Sequence, residues 1–291
     1  MTRLKVAVAQ VAASVDDLDA NFDKHLDYIA RARAEGVELL VFPELSLTGY
    51  PSDAVEVDRL ARHMNQDRIA ELARAAEGLF VVAGHVEEAA AAQFYNTSVV
   101  VRDGKVVYWH RKLNLATYGE LHEGRLFATG RHVQAFSVTG PWRGGLLICA
   151  DAWNPALVTL TALHGATVLL VPTASARDAV SSEFSSVHGW HVVVEFYALV
   201  YGMPVIMANL VGAARSLRFW GGSRIVDPFG KPLAVAAHDE ETLLLAELDY
   251  DEVRKARLQL PTVRDSNLAL IEREVTRLQN LLGVPDLIRK A

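Results

Sequence analysis

The chain has little of several features that would assign it to particular classes of protein. Its 291 residues include one cysteine, Cys149, which excludes a disulfide within the chain. The formal net charge is −6, and no cluster of lysine and arginine offers a surface for nucleic acid or for an anionic membrane. No apolar run is long enough to span a bilayer, and the N-terminal residues lack the pattern of a secretion signal. These absences predict a cytoplasmic protein that binds neither nucleic acid nor membrane.

Linkers rich in proline, serine or glycine are absent as well, and no segment is repeated. With 51% hydrophobic and 22% charged residues, the chain can bury a large core. Apolar runs of strand length alternate with amphipathic segments of helical spacing. The pattern predicts one α/β domain over residues 1–291 with mixed strand directions. Within it, we expect residues 265–291 to form a C-terminal arm that packs on a neighbouring element or on a partner chain.

One connection in the first half of the chain is unusually long. A single helix is predicted from about Arg59 to Ala76, and the apolar runs 98–102 and 105–110 follow it. Asp103 and Gly104 between these runs are a strong pattern for a two-residue hairpin. The second arm leads to Lys112 and a connection over residues 113–131, which is too long and too aromatic for a simple link. We expect this loop to line a site.

The cysteine lies in the segment LLICADAWNP, where an apolar run predicted as the strand 143–149 gives way to a polar turn. Asn154 is suited to cap the next helix and Pro155 to begin it. A thiol at such a junction lies near backbone N–H groups and a helix N-terminus, which favour the thiolate. A lone cysteine is more often a small buried hydrophobe. The hypothesis that Cys149 is a nucleophile therefore depends on the groups around it.

Two charged residues are placed in the same way as Cys149, beyond the ends of predicted strands. Glu44 follows the apolar run 39–42, and Lys112 follows the second arm of the hairpin. Either residue alone is usually a solvated charge. Together with a thiol, they match what attack on a carbonyl or nitrile carbon needs: a base that accepts the thiol proton, and a cation where negative charge develops.

The motifs that carry these three residues resemble those of the nitrilase, or carbon–nitrogen hydrolase, superfamily. The resemblance extends over nearly the whole chain, in VAVAQ, FPELSLTGY, HRK, LLICADAW, VPTASA, MPVIMANLVG and GGSRIVDPFG. It implies a four-layer α-β-β-α sandwich, which commonly dimerises, and it implies no cofactor. It also implies that Glu44 is the general base, that Lys112 stabilises the tetrahedral intermediate and that Cys149 is the nucleophile. The backbone N–H of Ala150 would complete the oxyanion hole.

Many members of this superfamily use a second glutamate, and the loop offers Glu120 and Glu123. The spacing of Glu123 to Arg125 and Phe127 resembles the superfamily's pattern and selects Glu123. Two carboxylates near one thiol would raise each other's pKa, which suits a base that works near neutral pH. The candidates for substrate contact are the residues next to these catalytic segments: Tyr50, Tyr118, Trp153, Thr173 and Arg177.

A metal site is not predicted. His188 and His191 lie three residues apart on a predicted helix, which is a spacing that a metal can use. No third ligand with suitable spacing accompanies them. The spacing therefore predicts no metal site, and the resemblance implies a hydrolase that needs no cofactor.

The resemblance implies an amidase-type hydrolase that cleaves a non-peptide C–N bond of a small amide through a cysteine thioester and releases ammonia or an amine. The first alternative is a glutaminase subunit that supplies ammonia to a separate synthetase, because LTGYP, the loop over residues 118–127 and NLVG resemble the amidohydrolase domain of glutamine-dependent NAD synthetase. A nitrilase is a further alternative, although nitrilases tend to carry Trp-Glu after the cysteine. A catalytically inactive scaffold on the same fold is the last one, and the intact Glu44, Lys112 and Cys149 argue against it.

One position distinguishes the amidase from the glutaminase hypothesis. In the glutaminase relatives, the residue after the nucleophile is typically acidic and holds the ammonium of glutamine, whereas this chain has Ala150 there. A methyl group accepts no hydrogen bond, so glutamine is predicted to be a poor substrate. Asp151, one residue further on, is the nearby acid that would have to bind the ammonium of glutamine instead.

An apolar sandwich with an added helical arm predicts at least a homodimer.

Overall fold

Two six-stranded sheets packed face to face form the centre of the molecule. A computed structural model describes residues 2–177 and 179–282. The first sheet has the strand order β15-β1-β2-β3-β4-β5, the second has the order β14-β13-β10-β8-β7-β6, and a small third sheet has the order β11-β12-β9. The strands are β1 (Arg3–Gln10), β2 (Leu39–Val41), β3 (Phe80–Ala89), β4 (Gln93–Arg102), β5 (Lys105–Arg111), β6 (Ala135–Ser137), β7 (Arg143–Leu146), β8 (Val168–Thr173), β9 (Ala176–Arg177), β10 (Val205–Asn209), β11 (Val211–Ala214), β12 (Leu217–Trp220), β13 (Arg224–Val226), β14 (Pro232–Val235) and β15 (Thr242–Asp249). The helices are α1 (Leu18–Ala34), α2 (Ala54–His63), α3 (Gln66–Ala75), α4 (Pro155–Leu163), α5 (Ser186–Tyr201), α6 (Tyr250–Gln259) and α7 (Leu268–Leu281).

Strand β1 shows how the layers are built. Successive side chains of a strand point to opposite faces of its sheet. Val6 and Val8 pack between the two sheets in one cluster with Leu170 of β8. Ala7, on the other face, packs in a second cluster with Phe22 of α1. The first sheet is therefore buried on both faces, as its continuous apolar runs predict.

The second sheet is covered in the same way. Leu169 and Val205 turn outward from it and pack in a cluster with Val158 of α4 and Val194 of α5. The order of layers is thus helices, sheet, sheet, helices. The predicted four-layer α-β-β-α sandwich is confirmed.

Strand direction brings the ends of four strands to one edge of the molecule. β1, β2 and β3 are parallel, and β4 and β5 form successive antiparallel pairs, so β5 runs in the same direction as β2. In the second sheet, β7 and β8 are parallel. The segments that leave the carboxyl ends of β2, β5, β7 and β8 carry Glu44, Lys112, Cys149 and Ala174.

The local sequence explains where several elements begin and end. Asp103 and Gly104 have φ values of 49° and 76°, as the predicted hairpin turn requires. Asn154 caps α4, because its side chain accepts a hydrogen bond from the backbone N–H of Ala156 at 3.1 Å. The prediction of one helix from Arg59 to Ala76 is wrong, because the segment forms the two helices α2 and α3. Asn65 divides them, since its side chain accepts hydrogen bonds from the first turn of α3.

Helix α7 forms most of the described part of the predicted C-terminal arm. It carries an apolar stripe of Leu268, Ile271, Val275 and Leu278, each between 44% and 54% exposed, and none of its residues is buried. The rest of the arm, residues 283–291, lies outside the described residues. Among the residues that the structure describes, no helix has the length and apolar character needed to cross a membrane.

Candidate active site

Glu44, Lys112, Glu123 and Cys149 line one cavity of about 280 Å³ at the edge where the strand ends meet. Glu44 follows β2, and Lys112 follows β5. Cys149 begins the short 3₁₀ turn Cys149–Trp153, which follows β7. Glu123 begins another 3₁₀ turn, in the long loop after β5. The structure therefore brings together the four residues that were predicted to be catalytic.

Lys112 is held between the two carboxylates. Its side chain is 1% exposed, and Nζ donates to Oε1 of Glu44 at 2.5 Å and to Oε1 of Glu123 at 2.8 Å. Burial alone lowers the pKa of Lys112, but the charges of Glu123 and Glu44 outweigh burial and raise this pKa well above its ordinary value. The site therefore favours the charged form of Lys112, as two neighbouring carboxylates do for an ammonium.

Glu44 is fully buried, and two further donors fix its carboxylate. Nδ2 of Asn96 donates to Oε1 at 2.8 Å, and the backbone N–H of Ala174 donates to Oε2 at 2.8 Å. Strand β3 also positions this glutamate, because it passes close to the backbone of the segment that carries Glu44. A Cβ atom added to Gly84 would overlap the backbone nitrogen of Leu45, so only glycine lets the segment after β2 pass there.

Glu123 is the second glutamate that the structure brings to the cavity. Its Oε1 accepts from the hydroxyl of Tyr50 at 2.8 Å, and its Oε2 accepts from the backbone N–H of Ala116 at 2.8 Å. Burial raises the pKa of Glu123, Lys112 opposes this shift and Glu44 adds to it. The prediction that neighbouring carboxylates raise the pKa is thus confirmed for Glu123. Glu120 instead accepts from the exposed hydroxyl of Ser216 at 2.8 Å and does not line the cavity.

Cys149 has a backbone conformation that only a constrained site retains. Its φ is 46°, in the left-handed region, which costs a non-glycine residue about 1–2 kcal/mol. Burial raises the pKa of the thiol well above its ordinary value, and the charge of Glu44 raises it further. The expectation that the surroundings favour the thiolate is therefore wrong. Strand β7 ends at Leu146 and α4 begins only at Pro155, so the N-terminus of α4 does not directly follow the thiol. Burial and the nearby carboxylates therefore dominate the pKa of Cys149.

The backbone N–H of Ala150 lies in the first turn of the 3₁₀ segment that Cys149 begins. N–H groups at the start of a helical turn have no partner within that turn. Such a group beside the thiol is suited to receive the oxygen of a substrate carbonyl. The oxyanion-hole role of Ala150 remains a prediction.

The predicted substrate contacts divide into two sets. Tyr50, Tyr118 and Trp153 line the cavity, and burial raises the pKa of Tyr118 to about 12. Thr173 and Arg177 do not line it. The hydroxyl of Thr173 donates to the carbonyl of Val171 at 3.0 Å within strand β8. Arg177 points to the surface, where it pairs with Asp239 at 3.1 Å.

Several wall residues were not anticipated from the sequence. Phe184 and Trp190 stand beside Trp153, with ring centroids 5.5 Å and 5.2 Å from it. They come from the segment before α5 and from α5 itself, far along the chain from the catalytic motifs. The other apolar wall residues are Ala116, Leu121, Ala174, Ala176, Ala179 and Val180.

The carbon–nitrogen hydrolase family model matches residues 5–258. The chain belongs to this family. It is 29% identical over 272 residues to a glutamine-dependent NAD(+) synthetase of Thermotoga maritima, covering 91% of this chain and 45% of that protein. It is 30% identical over 275 residues to an (R)-stereoselective amidase of a Pseudomonas species, covering 92% of this chain and 93% of the amidase.

A solved structure extends the likeness to the fold. An amidase from a Nesterenkonia species superposes with a TM-score of 0.79 at 26% identity, covering 93% of this chain and 95% of that one. The chain spans about half the length of the NAD(+) synthetases that it matches. Its family and these relatives make the protein an enzyme, a carbon–nitrogen hydrolase.

Asp151 of this carbon–nitrogen hydrolase does not face the cavity. It is fully buried and absent from the cavity wall, because its carboxylate is turned toward the backbone that follows Lys112. It therefore offers no replacement partner for the ammonium of glutamine. Within the described residues, no group of three or more histidine, cysteine or acidic side chains is arranged to hold a metal ion, and His188 and His191 have no third ligand there.

Proposed function

We propose that this carbon–nitrogen hydrolase is an amidase for small carboxamides with an uncharged, apolar acyl group. The observation that carries the proposal is the convergence of Cys149, Lys112 and two buried carboxylates on one largely apolar cavity. A relative supports the role of the thiol. In a structure of a variant of the Nesterenkonia sp. AN1 amidase, the acetamide moiety of fluoroacetamide is added covalently at the active-site cysteine.

Acylation begins with transfer of a proton. Because burial raises the pKa of Cys149, the thiol is protonated at rest and needs a base as it attacks. Glu44 accepts this proton while the sulfur forms a bond to the amide carbon. The electron pair of the carbonyl moves to oxygen, where the ammonium of Lys112 and the N–H of Ala150 stabilise the negative charge.

The tetrahedral intermediate then collapses. Glu44 passes its proton to the amide nitrogen, the C–N bond breaks, and ammonia or an amine leaves a thioester on Cys149. Water enters in place of the amine and gives a proton to Glu44 as it attacks the thioester carbon. Collapse of this second intermediate releases the carboxylic acid, and the proton returns to the sulfur. The steps use side chains of this chain and no cofactor.

Glu123 has a different role in this mechanism. Both of its oxygens accept hydrogen bonds from fixed donors, and one of these donors is Lys112. It therefore fixes the ammonium opposite Glu44. Glu123 also lines the cavity, and in the proposed mechanism its carboxylate accepts from the NH₂ group of a bound amide.

The cavity wall indicates the acyl group. Of the residues that the structure describes, the charged ones that line the cavity are Glu44, Lys112 and Glu123, and both carboxylates pair with Lys112. Lys112 is the one cation among these three and is already held by both carboxylates, so the free carboxylate of glutamine would be buried without a cation as its partner, which costs several kcal/mol. The aromatic and aliphatic walls instead favour an apolar acyl chain. The volume of about 280 Å³ suits a small one.

A glutaminase subunit is the second candidate, which the similarity to the NAD(+) synthetases favours. We predict that kcat/KM for simple aliphatic amides exceeds that for glutamine by at least about tenfold, since tenfold corresponds to only about 1.4 kcal/mol of lost pairing. The measurement is ammonia release by one purified preparation, with propionamide, butyramide and glutamine. A tenfold preference for glutamine would overturn the amidase proposal and indicate a separate ammonia-accepting synthetase.

We also propose that the protein forms at least a homodimer. Helix α5 exposes Val192, Phe196 and Leu199, each about half, and helix α7 exposes its apolar stripe. Exposed apolar surface of this extent is typical of an interface. Light scattering at micromolar concentration is expected to give at least twice the monomer mass of 31.9 kDa. A fully active monomer would contradict this proposal.

A further inference from the structure

Asp151 is fully buried, and its carboxylate accepts four hydrogen bonds. Its Oδ1 accepts from the backbone N–H groups of Leu113 at 2.9 Å and Asn114 at 2.6 Å. Its Oδ2 accepts from Nε2 of His110 at 2.9 Å and from the backbone N–H of Ile148 at 3.1 Å. An ionised carboxylate has about four acceptor positions. Those of Asp151 are filled by donors of this chain, so the group is not free to bind a ligand.

The four donors come from the two segments that carry the reacting groups. His110, Leu113 and Asn114 lie on both sides of Lys112, and Ile148 directly precedes Cys149. One carboxylate thus ties the end of strand β5 to the end of strand β7. These strands belong to different sheets, so the tie crosses the interface between the two layers.

The same carboxylate closes the turn around the cysteine. The backbone N–H of Asp151 donates to the carbonyl of Ile148 at 2.9 Å, while its Oδ2 accepts from the N–H of Ile148 at 3.1 Å. The two hydrogen bonds span Cys149, whose φ of 46° is in the left-handed region. A non-glycine residue keeps this conformation only where its surroundings constrain it. Asp151 supplies that constraint.

We propose that Asp151 is a positioning residue, which holds Lys112 and Cys149 at the separation and orientation that thiol attack requires. The inference rests on the proposed function of Cys149 as the nucleophile. Because Asp151 does not line the cavity, it acts through the two residues that do. Its loss therefore lowers the rate of the chemical steps and leaves the walls that bind the acyl group in place.

The test compares Asp151→Asn with Asp227→Asn. Asp227 is also a mostly buried aspartate that accepts backbone hydrogen bonds, from Phe229 and Lys231 in the turn between β13 and β14. In Asp151→Asn, an NH₂ group must face two donors. We expect kcat to fall by about 100-fold or more, which is what a small misplacement of reacting groups costs, with KM changed by less than about threefold. Asp227→Asn should keep kcat within about threefold.

A second readout does not depend on turnover. Cys149 is the only cysteine, so intact-mass measurement of alkylation by iodoacetamide reports on this thiol alone. We expect Asp151→Asn to slow alkylation by about tenfold or more relative to the wild-type protein. In protein that already carries Lys112→Met, we expect Asp151→Asn to cause no further slowing, because the effects of residues that act as a unit are non-additive. Should Asp151→Asn fail to fold, His110→Phe removes one donor and keeps a planar aromatic ring at this position. It is expected to lower kcat by about tenfold with KM unchanged.

Cys149→Ala distinguishes loss of the positioning role of Asp151 from loss of the nucleophile. If Cys149→Ala is inactive but Asp151→Asn behaves like Asp227→Asn, the positioning role is wrong and the nucleophile stands. An effect on KM alone, or additive effects of Asp151→Asn and Lys112→Met on alkylation, would also overturn the positioning role. Full activity of Cys149→Ala would overturn the proposed function itself.

Discussion

Replacing Cys149 with alanine is expected to abolish hydrolysis of every amide that the wild-type enzyme cleaves. In the proposed mechanism the sulfur forms the bond to the substrate, and removal of a covalent nucleophile typically lowers kcat by about 10⁴-fold or more. Alanine is close to cysteine in size and has the same preference against the left-handed backbone of this position, so the fold should be retained. The measurement is ammonia release, with circular dichroism and the thermal unfolding midpoint as controls.

Cys149→Ser provides a matched second variant. It keeps a polar atom at the position of the sulfur, but a hydroxyl is a much weaker nucleophile than a thiol, and the buried Glu44 has a harder proton to remove. We expect this variant to be inactive as well. Ammonia release near the wild-type rate by either variant, once the mass of the protein is verified, would remove the thiol mechanism.

Substitution of Lys112 by methionine has the second largest expected effect. Methionine keeps a flexible stem and removes the charge, so the developing oxyanion loses its cation, which typically costs about 10²–10³-fold in kcat. The two buried carboxylates, Glu44 and Glu123, also lose the cation between them. We expect kcat to fall by at least about 100-fold. Lys112→Arg should not rescue activity, because a planar fork does not replace a point charge in a site built around Nζ.

The loss of Lys112 is also expected to change how stability depends on pH. In Lys112→Met, Glu44 still adds to the burial that already raises the pKa of Glu123, and Lys112 no longer opposes it. A carboxyl whose pKa is higher in the folded than in the unfolded state favours folding at low pH, and this contribution is lost as pH rises through the folded pKa. The thermal unfolding midpoint of the variant should therefore decrease with rising pH more than that of the wild type. Lys105→Met, at an exposed position on β5, is the matched control.

A result confined to binding would change the interpretation of Lys112. If Lys112→Met raised KM and left kcat unchanged, the ammonium would be an anchor for the ground state of the substrate and not for the transition state. An unchanged pH dependence of stability would mean that the two carboxylates are neutralised in another way.

The sequence predicted the elements best where local chemistry determines them. The helix predicted to carry His188 and His191 is α5, because Ser185 caps its start and Gly202, with φ of 53°, ends it. The hairpin at Asp103 and Gly104 is as predicted for the same reason. The short strands β9, β11 and β12 were not predicted, because they are only two to four residues long and are stabilised by pairing with one another. The break at Asn65 was missed because the helical spacing of apolar residues continues across it.

The candidate site was predictable to the extent that its residues lie at strand ends. Glu44, Lys112 and Cys149 each follow a strand, and parallel strands bring such ends together. The supporting contacts of Asn96 and Asp151 were not predictable, because they depend on the register of β4 and β5 and on the packing of one sheet against the other. The protonation of the thiol was mispredicted for a related reason. Proximity to a turn is visible in the sequence, whereas burial among carboxylates results from the tertiary fold.

Trapping of the acyl-enzyme is a direct test of Cys149 as the nucleophile. The wild-type enzyme is mixed with an excess of propionamide, the reaction is quenched in acid during turnover, and the intact protein and its peptides are weighed. The thiol mechanism predicts a propionyl adduct on the peptide that contains Cys149, which disappears when the substrate is exhausted and never forms in Cys149→Ala. Turnover of the amide without any adduct on Cys149, or with an adduct on another residue, would contradict it.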